Sequence, residues 1–487
     1  MKTTTVQRTN VVLHPDRSRV LLRPFLAPTD PRASKICAHV LAMPENEVHT
    51  LWKQVQAEFG ERHSQIREFL RRRFEQVRSC LPPTQKLSED REYLLSAYFT
   101  HEYSLEAAAL FNPSIVPHPD QSDLPPGSLR FVLSLRATGE GHISSITFRT
   151  GLLDAQGNVT INPPTRYCLE PAQVPNVSFD KGVFERKLRE LGLVGDFTRQ
   201  TLEVLGERFT LEELRASTSR VAEQFGARDQ QTEAVARKTL MLAQSNYEVQ
   251  FPPESRLSER VLFPTTPSQS NGIEDARFVL FRNDDPAGAG RTYYATYTAY
   301  DGKMILPQFI ETPDFLHFQF ITLNGPAVQN KGMALFPRRI KDRYAMLGRQ
   351  DGENLYIMFS DNLHFWNDKQ ILLQPKFPWE FIQLGNCGSP IETKAGWLVL
   401  SHGVGAMRKY CIGAFLLDLE DPTKVIGRLR EPLIQPNENE REGYVPNVVY
   451  SCGSLVHGGK LIVPYAMSDY AATFATLSLD DVLAAME

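Results

Sequence analysis

The chain has 487 residues, 42% of them hydrophobic and 23% charged, which is an ordinary globular balance and enough for roughly two to three domain-sized units or one large repeat architecture with additions. Its formal net charge of −4 gives no reason to expect a nucleic acid partner, and its six cysteines show neither a CxxC pair nor a disulfide framework. No apolar run reaches the roughly 18 residues of a membrane span, and the N-terminus lacks the apolar core of a secretory signal. We therefore expect a cytoplasmic protein that contacts no membrane. No cluster of metal-binding residues is visible in the sequence, so we also expect that the protein needs no metal.

The N-terminal part of the chain is predicted to be largely helical. An extended basic arm over about residues 1–30 has the character of an edge strand or an oligomer contact. Apolar residues then recur at three- and four-residue steps over about residues 46–80, which predicts a helix, and a further helix is expected over about residues 88–110. We therefore assign residues 1–105 to an N-terminal extension.

The next segment changes to strands and then back to helices. An alternating strand ends at Arg136 before a glycine-containing loop, where the arginine is either a surface residue or a cation placed in a site. Residues 106–179 form the first part of a β-domain, and the helical periodicity of residues 180–250 predicts an inserted helical subdomain.

Two adjacent carboxylates, Glu274 and Asp275, lie beside Asn271 and Arg277, directly before the apolar run Phe-Val-Leu-Phe. This run has the character of a buried strand. Charges at the mouth of a buried strand are unfavourable unless they are paired or used. A carboxyl group held by an arginine could be a general acid, and a salt-bridged turn explains the same residues equally well.

Residues 251–487 consist almost entirely of short strands with closely spaced turns, which indicates a sandwich, barrel or propeller. An Asp-x-Leu-His-aromatic element recurs after roughly fifty residues, a period typical of propeller blades. We therefore expect a mainly β protein built on a β-propeller. Polar residues fall where strands meet turns, and in a propeller such positions converge on the central channel: Asp275, Arg277, Asp301, Lys331, Arg349, His402 and Asp469.

A series of motifs in this half resembles glycoside hydrolase family 130, the inverting β-mannoside phosphorylases and related β-mannosidases. The matching pieces occur in the family's order and are GIEDAR at 272–277, YTAYDG at 297–302, KGMALFP at 331–337, PIET at 390–393 with GWL at 396–398, SHGV at 401–404, LLDLEDP at 416–422, GYVPNVVY at 443–450, and Tyr465 with Asp469. Earlier pieces, NP at 112–113 and LRA at 135–137, resemble its first blade.

The resemblance implies a five-bladed β-propeller with a central active site, to which this chain adds a helical N-terminal extension and a helical insertion. It implies that Asp275 is the general acid, acting through a sugar hydroxyl, and that Lys331 and Arg349 bind phosphate. The residues implied to bind the substrate are Arg136, Asn271, Glu274, Arg277, Tyr300, Asp301, His402, Tyr465 and Asp469.

The implied reaction is phosphorolysis of a β-linked manno-oligosaccharide or mannosyl disaccharide, with inversion and release of α-mannose 1-phosphate. Phosphate is then a co-substrate and no other cofactor is needed. Phosphate is itself the nucleophile, so the site needs cations to hold it rather than a second carboxylate. The alternatives are an inverting β-mannosidase, in which Glu380, Glu392 or Glu440 activates water, and a sugar-binding propeller without activity.

The sequence departs from the family pattern at the expected phosphate site. Gly348 stands where a histidine usually precedes the arginine, and no arginine occurs between Asp301 and Asn330. The cation set is therefore weakened, or rebuilt by Lys303, Arg338 or Arg339. The helical additions either form an interface between copies of the chain or pack on the propeller.

Overall fold

A computed structural model describes residues 5–81, 86–175, 177–225, 230–283, 291–303 and 305–487. The protein is mainly β, with its helices grouped in two blocks and one short C-terminal helix. None of the helices in the described ranges is both long and apolar enough to cross a membrane. The helices in these ranges are α1 Ala33–Ala42, α2 Glu45–Phe59, α3 Ile66–Val77, α4 Glu89–Tyr98, α5 Lys181–Glu190, α6 Asp196–Glu203, α7 Leu211–Gln224, α8 Gln230–Gln244 and α9 Leu479–Ala484.

The strands are short and follow one another closely in the second half of the chain. In chain order they are β1 Gln7–Leu13, β2 Val20–Pro24, β3 Thr100–Ser104, β4 Ala109–Pro117, β5 Leu129–Thr138, β6 Ser144–Leu153, β7 Val159–Ile161, β8 Ala172–Gln173, β9 Ser178–Asp180, β10 Arg208–Thr210, β11 Tyr247–Gln250, β12 Val261–Leu262, β13 Ile273–Arg282, β14 Arg291–Tyr300, β15 Ile305–Thr312, β16 His317–Thr322, β17 Lys331–Leu335, β18 Tyr344–Arg349, β19 Leu355–Ser360, β20 Gln370–Leu373, β21 Gln383–Asn386, β22 Ile391–Thr393, β23 Gly396–Val404, β24 Tyr410–Leu417, β25 Val425–Arg428, β26 Val449–Tyr450, β27 Leu455–His457, β28 Lys460–Met467 and β29 Ala471–Ser478.

Most strands belong to five antiparallel sheets of four or more strands, counted over the described ranges. Sheet 1 has the order β12-β6-β5-β4, with β7 on β6, and sheet 2 has the order β13-β14-β15-β16-β11-β8. Sheet 3 is β17-β18-β19-β20, and sheet 4 is β21-β23-β24-β25 with β22 on β23. Sheet 5 is β1-β29-β28-β26 with β27 on β28, so the first strand of the chain is an edge strand of the last sheet. One of the two roles expected for the basic arm is thereby confirmed.

The hydrophobic core lies between sheets. Within the described residues, separate buried clusters fill the boundaries of sheets 1 and 2, 2 and 3, 3 and 4, 4 and 5, and 5 and 1. Phe148 of sheet 1 packs on Phe278 and Phe318 of sheet 2, for example. Each sheet thus buries both faces against its neighbours, which explains why its strands are apolar on both sides.

Strands β4, β13 and β17 share a local feature that shapes the region around Asp275. In β4, β13 and β17 the register shifts by one extra residue, which is a β-bulge. Each bulge contains a residue in the left-handed region: Asn112 at φ 49°, Asp275 at φ 52° and Gly332 at φ 85°. Bulges redirect side chains away from the regular alternation, so Asn112 and Asp275 turn out of their sheets toward each other.

The N-terminal helices differ in detail from the sequence prediction. The helix predicted over residues 46–80 is two helices, α2 and α3, because Gly60, a poor helix former, follows the end of α2. The helix predicted over residues 88–110 ends at Tyr98, because residues 100–104 instead pair with β2. Both predicted continuous helices were therefore wrong, although helices dominate this part of the chain.

Helices α5 to α8 lie between β8 and β11, two neighbouring strands of sheet 2. The helical segment therefore leaves a sheet and returns to the same sheet. Helix α5 is fixed by Lys187, whose Nζ donates to the carbonyl of Leu323 at 2.8 Å, and by Glu190, which accepts from the backbone of Gly325 at 2.8 Å. These contacts attach the helices to the connection between sheets 2 and 3.

Candidate active site

Side chains from all five sheets meet around Asp275, which lies in the bulge of β13. Its Oδ1 accepts hydrogen bonds from Asn112 Nδ2 at 2.7 Å and from Arg136 Nη1 at 3.2 Å. Arg136 also donates from Nη2 to Glu274 Oε1 at 3.0 Å. One arginine of sheet 1 therefore bridges the two adjacent carboxylates of sheet 2. Charged groups removed from water need such partners of opposite charge.

Arg136 is itself held in place. Its Nε donates to Ser144 Oγ at 2.9 Å, and its guanidinium lies over the ring of Phe111, 5.0 Å from the centroid. A guanidinium fixed on three sides loses little conformational freedom when it meets a ligand. The cluster is therefore organised before anything binds.

The surroundings of Asp275 keep it ionised. Burial alone would raise the pKa of this carboxyl group, but the charges of Arg136, Arg277 and Lys331 and the hydrogen bond from Asn112 lower it to about 2. Asp275 is thus a carboxylate in the unliganded protein.

Asp469 behaves in the opposite way. Burial and the negative charge of Asp275 raise the pKa of Asp469 to about 6, against the opposing influence of Arg136 and Arg408. The residue is in the left-handed region, with φ 51°, directly after Ser468 at φ 47°. Two neighbouring carboxyl groups with separated pKa values are a common feature of catalytic sites.

Arg277 lies behind Asp275 and connects sheet 2 to sheet 5. Its Nη1 donates to the backbone carbonyl of Asp275 at 3.0 Å, and its Nη2 donates to the hydroxyl of Tyr450 at 2.6 Å. The arginine is 3% exposed, and its Nε has no hydrogen-bond partner in the described part of the chain. Arg277 therefore supports the bulge and leaves one buried donor unsatisfied.

Two further cations stand on neighbouring strands of sheet 3. Lys331 and Arg349 are directly paired in the register of β17 and β18. Lys331 Nζ lies 3.7 Å from Glu274 Oε2. Arg349 is 8% exposed, forms no ion pair with a carboxylate within the described ranges, and has a buried Nε without a partner. Its Nη1 lies 3.3 Å from Nε2 of His402, which belongs to sheet 4.

Three predicted substrate-binding residues form a rim next to β13 and β14. The backbone N–H of Asn271 donates to the carbonyl of Tyr300 at 2.9 Å, and the hydroxyl of Tyr300 donates to the carbonyl of Gly302 at 3.1 Å. The Asp301 carboxylate accepts from the backbone N–H of Lys303 at 2.8 Å. The side chain of Asn271 is exposed beside this turn.

Tyr465 and Glu440 belong to a different cluster. Tyr465 is fully buried, and its hydroxyl donates to Glu440 Oε1 at 2.6 Å. The same oxygen accepts from Arg8 Nε at 2.8 Å. The structure therefore does not bring Tyr465 to the Asp275 cluster. The cluster of Tyr465, Glu440 and Arg8 instead connects the first strand of the chain to the loop before β26.

The other two glutamates considered as bases are also engaged elsewhere. Glu392 forms ion pairs with Arg282 and Arg338, the latter at 2.8 Å. Glu380 is 1% exposed and accepts from Arg428 at 2.6 Å and from two backbone N–H groups. Each carboxylate is thus neutralised by a structural partner.

The positions at which the sequence departs from the family's phosphate site are Gly348 and the arginines expected to replace the missing cations. A Cβ atom on Gly348 would come within 2.6 Å of Gln350 Nε2 and 2.9 Å of Met333 Sδ, so any side chain at this position requires the ends of these two side chains to move. Arg338 is held by Glu392, and Arg339 donates to the hydroxyl of Tyr344 at 2.8 Å. Arg338 and Arg339 are thus engaged by other side chains, and Lys303 is exposed at the turn after β14. Lys331 and Arg349 remain the predicted phosphate-binding cations.

Sequence reasoning did not name three of the residues that complete the site: Asn112, Tyr450 and Gln383. Asn112 and Tyr450 lie within recognised motifs, and their place in these motifs is the signal that could have identified them as site residues. Gln383 carries no such signal. In the described residues, no three His, Cys, Asp or Glu side chains come together in a way that could hold a metal ion.

Comparison with known proteins adds independent information. A sequence model described as beta-1,4-mannooligosaccharide phosphorylase matches residues 219–487. The chain is 35% identical over 235 residues to the 1,2-beta-oligomannan phosphorylase of Thermoanaerobacter sp. (strain X514), covering 47% of this chain and 75% of that protein. It is 30% identical over 234 residues to the beta-1,2-mannobiose phosphorylase of Listeria innocua serovar 6a, covering 46% of this chain and 63% of that protein. The solved structure of a Listeria innocua beta-1,2-mannobiose phosphorylase bound to beta-1,2-mannobiose aligns with a TM-score of 0.46 and 20% identity, over 78% of this chain and 92% of that one.

Proposed function

Since this chain belongs to glycoside hydrolase family 130, we propose that it cleaves β-mannosidic bonds with inversion by phosphorolysis, releasing α-mannose 1-phosphate. The substrate is a β-linked manno-oligosaccharide or mannosyl disaccharide, and inorganic phosphate is the co-substrate. The two sequence relatives described above support this choice, because both are named as phosphorylases of β-mannosides.

The observation that carries the proposal is the pair Lys331 and Arg349 beside the acidic cluster. Arg349 is almost fully buried, yet no carboxylate within the described ranges neutralises it. A buried, unpaired charge is strongly unfavourable, and an unsatisfied buried N–H adds to the penalty. A bound phosphate dianion relieves both, because it brings negative charge and several acceptor oxygens.

The proposed chemistry assigns one step to each side of the sugar. A phosphate oxygen held by Lys331 and Arg349 attacks the anomeric carbon as the bond to the leaving oxygen breaks. That oxygen receives a proton that originates from Asp275 and passes through a sugar hydroxyl. The step leaves Asp275 as a carboxylate, which is the state that Arg136 and Arg277 stabilise.

Asp275 must acquire its proton before that step. Phosphate binding offsets the charge of Lys331, one of the groups that lower the pKa of Asp275. Sugar binding removes the remaining water and further favours the neutral carboxyl group. The ternary complex therefore raises the pKa of Asp275 from its value in the free site.

The donor sugar is held by groups that lack partners in the unliganded protein. Asn112 Oδ1 and Arg277 Nε are buried without a hydrogen bond in the described part of the chain. Buried polar atoms are normally satisfied, so these atoms are suited to sugar hydroxyls. Arg136, which already bridges Asp275 and Glu274, and Asp469 are further proposed sugar ligands. The other proposed residues contact the substrate or support those that do: Glu274, His402, Asn271, Tyr300 and Asp301.

Hydrolysis is the less favoured alternative. An inverting hydrolase needs a carboxylate base roughly 6.5–9.5 Å from the acid, with water between them. Glu380, Glu392 and Glu440 are each occupied by an arginine. A sugar-binding protein without activity is a further alternative, and Asp275→Asn distinguishes it: an enzyme loses turnover in the variant, whereas a binding protein shows no turnover in the parent and still binds the ligand in the variant.

The proposal includes the architecture that positions the site. The five sheets, with a core at each successive boundary, support a five-bladed β-propeller formed by residues 106–179 and 251–487. Residues 1–105 are an extension whose first strand completes the last blade, and residues 180–250 are a helical insertion. Light scattering would test the predicted self-association through these helical parts.

The direct test is incubation with β-1,2- and β-1,4-mannobiose in the presence and absence of phosphate. We expect turnover only with phosphate, with Asp275→Asn as the inactive control and Asp368→Asn, an exposed carboxylate between β19 and β20, as the unaffected one. Release of free mannose at a rate independent of phosphate would refute phosphorolysis and favour the hydrolase.

A further inference from the structure

The helical insertion joins sheet 2 at the end of the sheet that carries the candidate active site. Strand β11, on which the chain returns from the insertion, is antiparallel to β16 and begins where β16 ends. The end of β16 lies beside the first half of β15, near the turn that holds Asp301. Helix α8, which directly precedes β11, is therefore placed at the same end of the sheet as the rim of Asn271, Tyr300 and Asp301.

A buried glutamine, Gln269, connects the insertion to the segment that precedes Asp275. The side-chain oxygen of Gln269 accepts from the hydroxyl of Tyr247, the first residue of β11, at 3.2 Å. Its amide nitrogen donates to the hydroxyl of Tyr297 in β14 at 2.8 Å. The ring of Tyr247 is fixed in turn, because it stacks on that of Phe320 with centroids 4.3 Å apart and planes at 6°. One side chain therefore ties the return strand of the insertion to the interior of sheet 2.

A second contact joins the same segment to the end of α8. Ser245 directly follows this helix, and its Oγ lies 2.7 Å from Oγ of Ser268. The carbonyl of Ser245 accepts from Nε2 of Gln308 at 2.8 Å, and Oε1 of Gln308 accepts from the hydroxyl of Tyr297. Ser245, Ser268 and Gln308 are all buried. The end of α8, two strands of sheet 2 and the segment before Asp275 thus share one buried hydrogen-bond network, and a buried network of this kind makes its members rigid.

The segment held in this way reaches the proposed sugar ligands through its backbone. The carbonyl of Gln269 accepts from the N–H of Gly272 at 2.7 Å, and Asn271 lies between these two residues. Gly272 has φ 123°, and a Cβ atom there would come within 2.7 Å of the backbone nitrogen of Ser144. Ser144 is the residue whose Oγ holds Arg136. A displacement of the segment therefore shifts Asn271 directly and Arg136 through Ser144.

The network also accounts for a motif residue to which the proposed chemistry gives no role. Tyr297 opens the motif YTAYDG, yet it is buried and its hydroxyl is engaged by two glutamines. We propose that Gln269 is a positioning residue for the mannosyl unit. The insertion fixes Gln269 through Tyr247, and Gln269 fixes the segment that carries Asn271. The inference rests on the proposed phosphorolysis and deepens it, because it makes the helical insertion a support of the donor-sugar site.

The test removes hydrogen bonds of this network in the full-length protein. Tyr247→Phe removes the hydroxyl on the side of the insertion and keeps the ring on Phe320, whereas Gln269→Met removes the amide and keeps a side chain of similar length. We expect KM for the mannoside to rise about fivefold in the first variant and about tenfold in the second, the range of a net hydrogen bond, with KM for phosphate unchanged. The double variant should resemble Gln269→Met, because the hydroxyl of Tyr247 then has no glutamine to hold.

The reverse reaction supplies a second readout that a purely structural role would not change. KM for α-mannose 1-phosphate, which carries the mannosyl unit, should rise together with KM for the mannoside, whereas KM for the acceptor sugar should stay constant. Tyr93→Phe is the matched control in the N-terminal extension. Tyr93 is likewise buried, its ring stacks on Trp52, and its hydroxyl donates to Glu89 at 2.7 Å. Its loss should leave all four constants unchanged.

The inference is overturned if Tyr247→Phe lowers Tm but leaves KM for the mannoside at the wild-type value, or if the variants alter the mannoside and phosphate constants alike. Should Gln269→Met not fold, Tyr247→Phe still decides, because it removes a single oxygen atom. Failure of the proposed function is distinguishable, because it appears in the wild type as turnover without phosphate.

Discussion

Replacing Asp469 by asparagine should stabilise the unliganded protein at neutral pH. Burial and the neighbouring Asp275 raise the pKa of Asp469 from its usual 3.8 to about 6. A carboxyl group with a raised pKa binds its proton more tightly in the folded state, so its contribution to stability is most favourable at low pH. That contribution declines as pH rises through 3.8 toward 6, and above about pH 6 the full penalty of the charged form remains.

The magnitude follows from the size of the shift. About two pKa units at 1.36 kcal/mol each give an upper bound of about 3 kcal/mol. Asp469 is partly exposed, and solvent screening reduces this to about 1–2 kcal/mol. With an unfolding entropy of about 2.1 cal/mol/K per residue, a chain of this length should gain about 1–2 °C in Tm.

The assay is thermal unfolding of Asp469→Asn and the wild type at pH 8 and at pH 4.5. The variant should unfold at the higher temperature at pH 8, with the difference shrinking at pH 4.5, while Asp368→Asn should show no such dependence. Activity should fall, because the proposed sugar contact is weakened. An equal difference at both pH values, or destabilisation confined to pH 8, would refute the electrostatic account of this site.

Four other changes probe the remaining groups. Asp275→Asn should lower kcat by about 10²–10⁴-fold while calorimetry still detects mannoside binding; unchanged kcat would exclude it as the acid. Lys331→Met should raise KM for phosphate about tenfold, and an equal rise in the mannoside constant would contradict its role. Glu392→Gln should leave phosphate-dependent turnover within about twofold, since its ion pairs are worth at most about 1 kcal/mol each; loss of turnover would make it the base. Gly348→His should destabilise the protein in urea by about 1–3 kcal/mol through overpacking, and a stable variant would show that the pocket can yield.

The sequence located the acidic cluster because its members lie in recognisable motifs at the ends of strands. Glu274 and Asp275 lie near the start of β13, and Arg136 lies near the end of β5, so a charged meeting point could be predicted. The contact between Asn112 and Asp275 could not be predicted from the chain alone, because 163 residues separate them and both side chains are redirected by bulges.

Tyr465 shows where motif position is insufficient. Successive residues of a strand face opposite sides of the sheet, so a site assignment depends on a single step of register. Tyr465 of β28 faces Glu440 in the core, whereas Tyr450, on the neighbouring strand β26, reaches Arg277. The sequence carries no local signal that separates the two tyrosines, since both are aromatic residues within apolar strands.

The helical additions were easier to detect than to delimit. Apolar periodicity continues through Gly60, so two helices had the pattern of one. Residues 100–104 became a strand because β2 was available as a partner. Tertiary pairing of this kind overrides local propensity.

The central claim, phosphorolysis with inversion at Asp275, is tested most directly by following the first product by nuclear magnetic resonance. A β-mannoside and phosphate should yield α-mannose 1-phosphate, seen as a phosphorus signal coupled to the α-anomeric proton, with no free mannose formed from the donor unit before it. Free mannose appearing first, with the phosphate signal unchanged, would contradict the account.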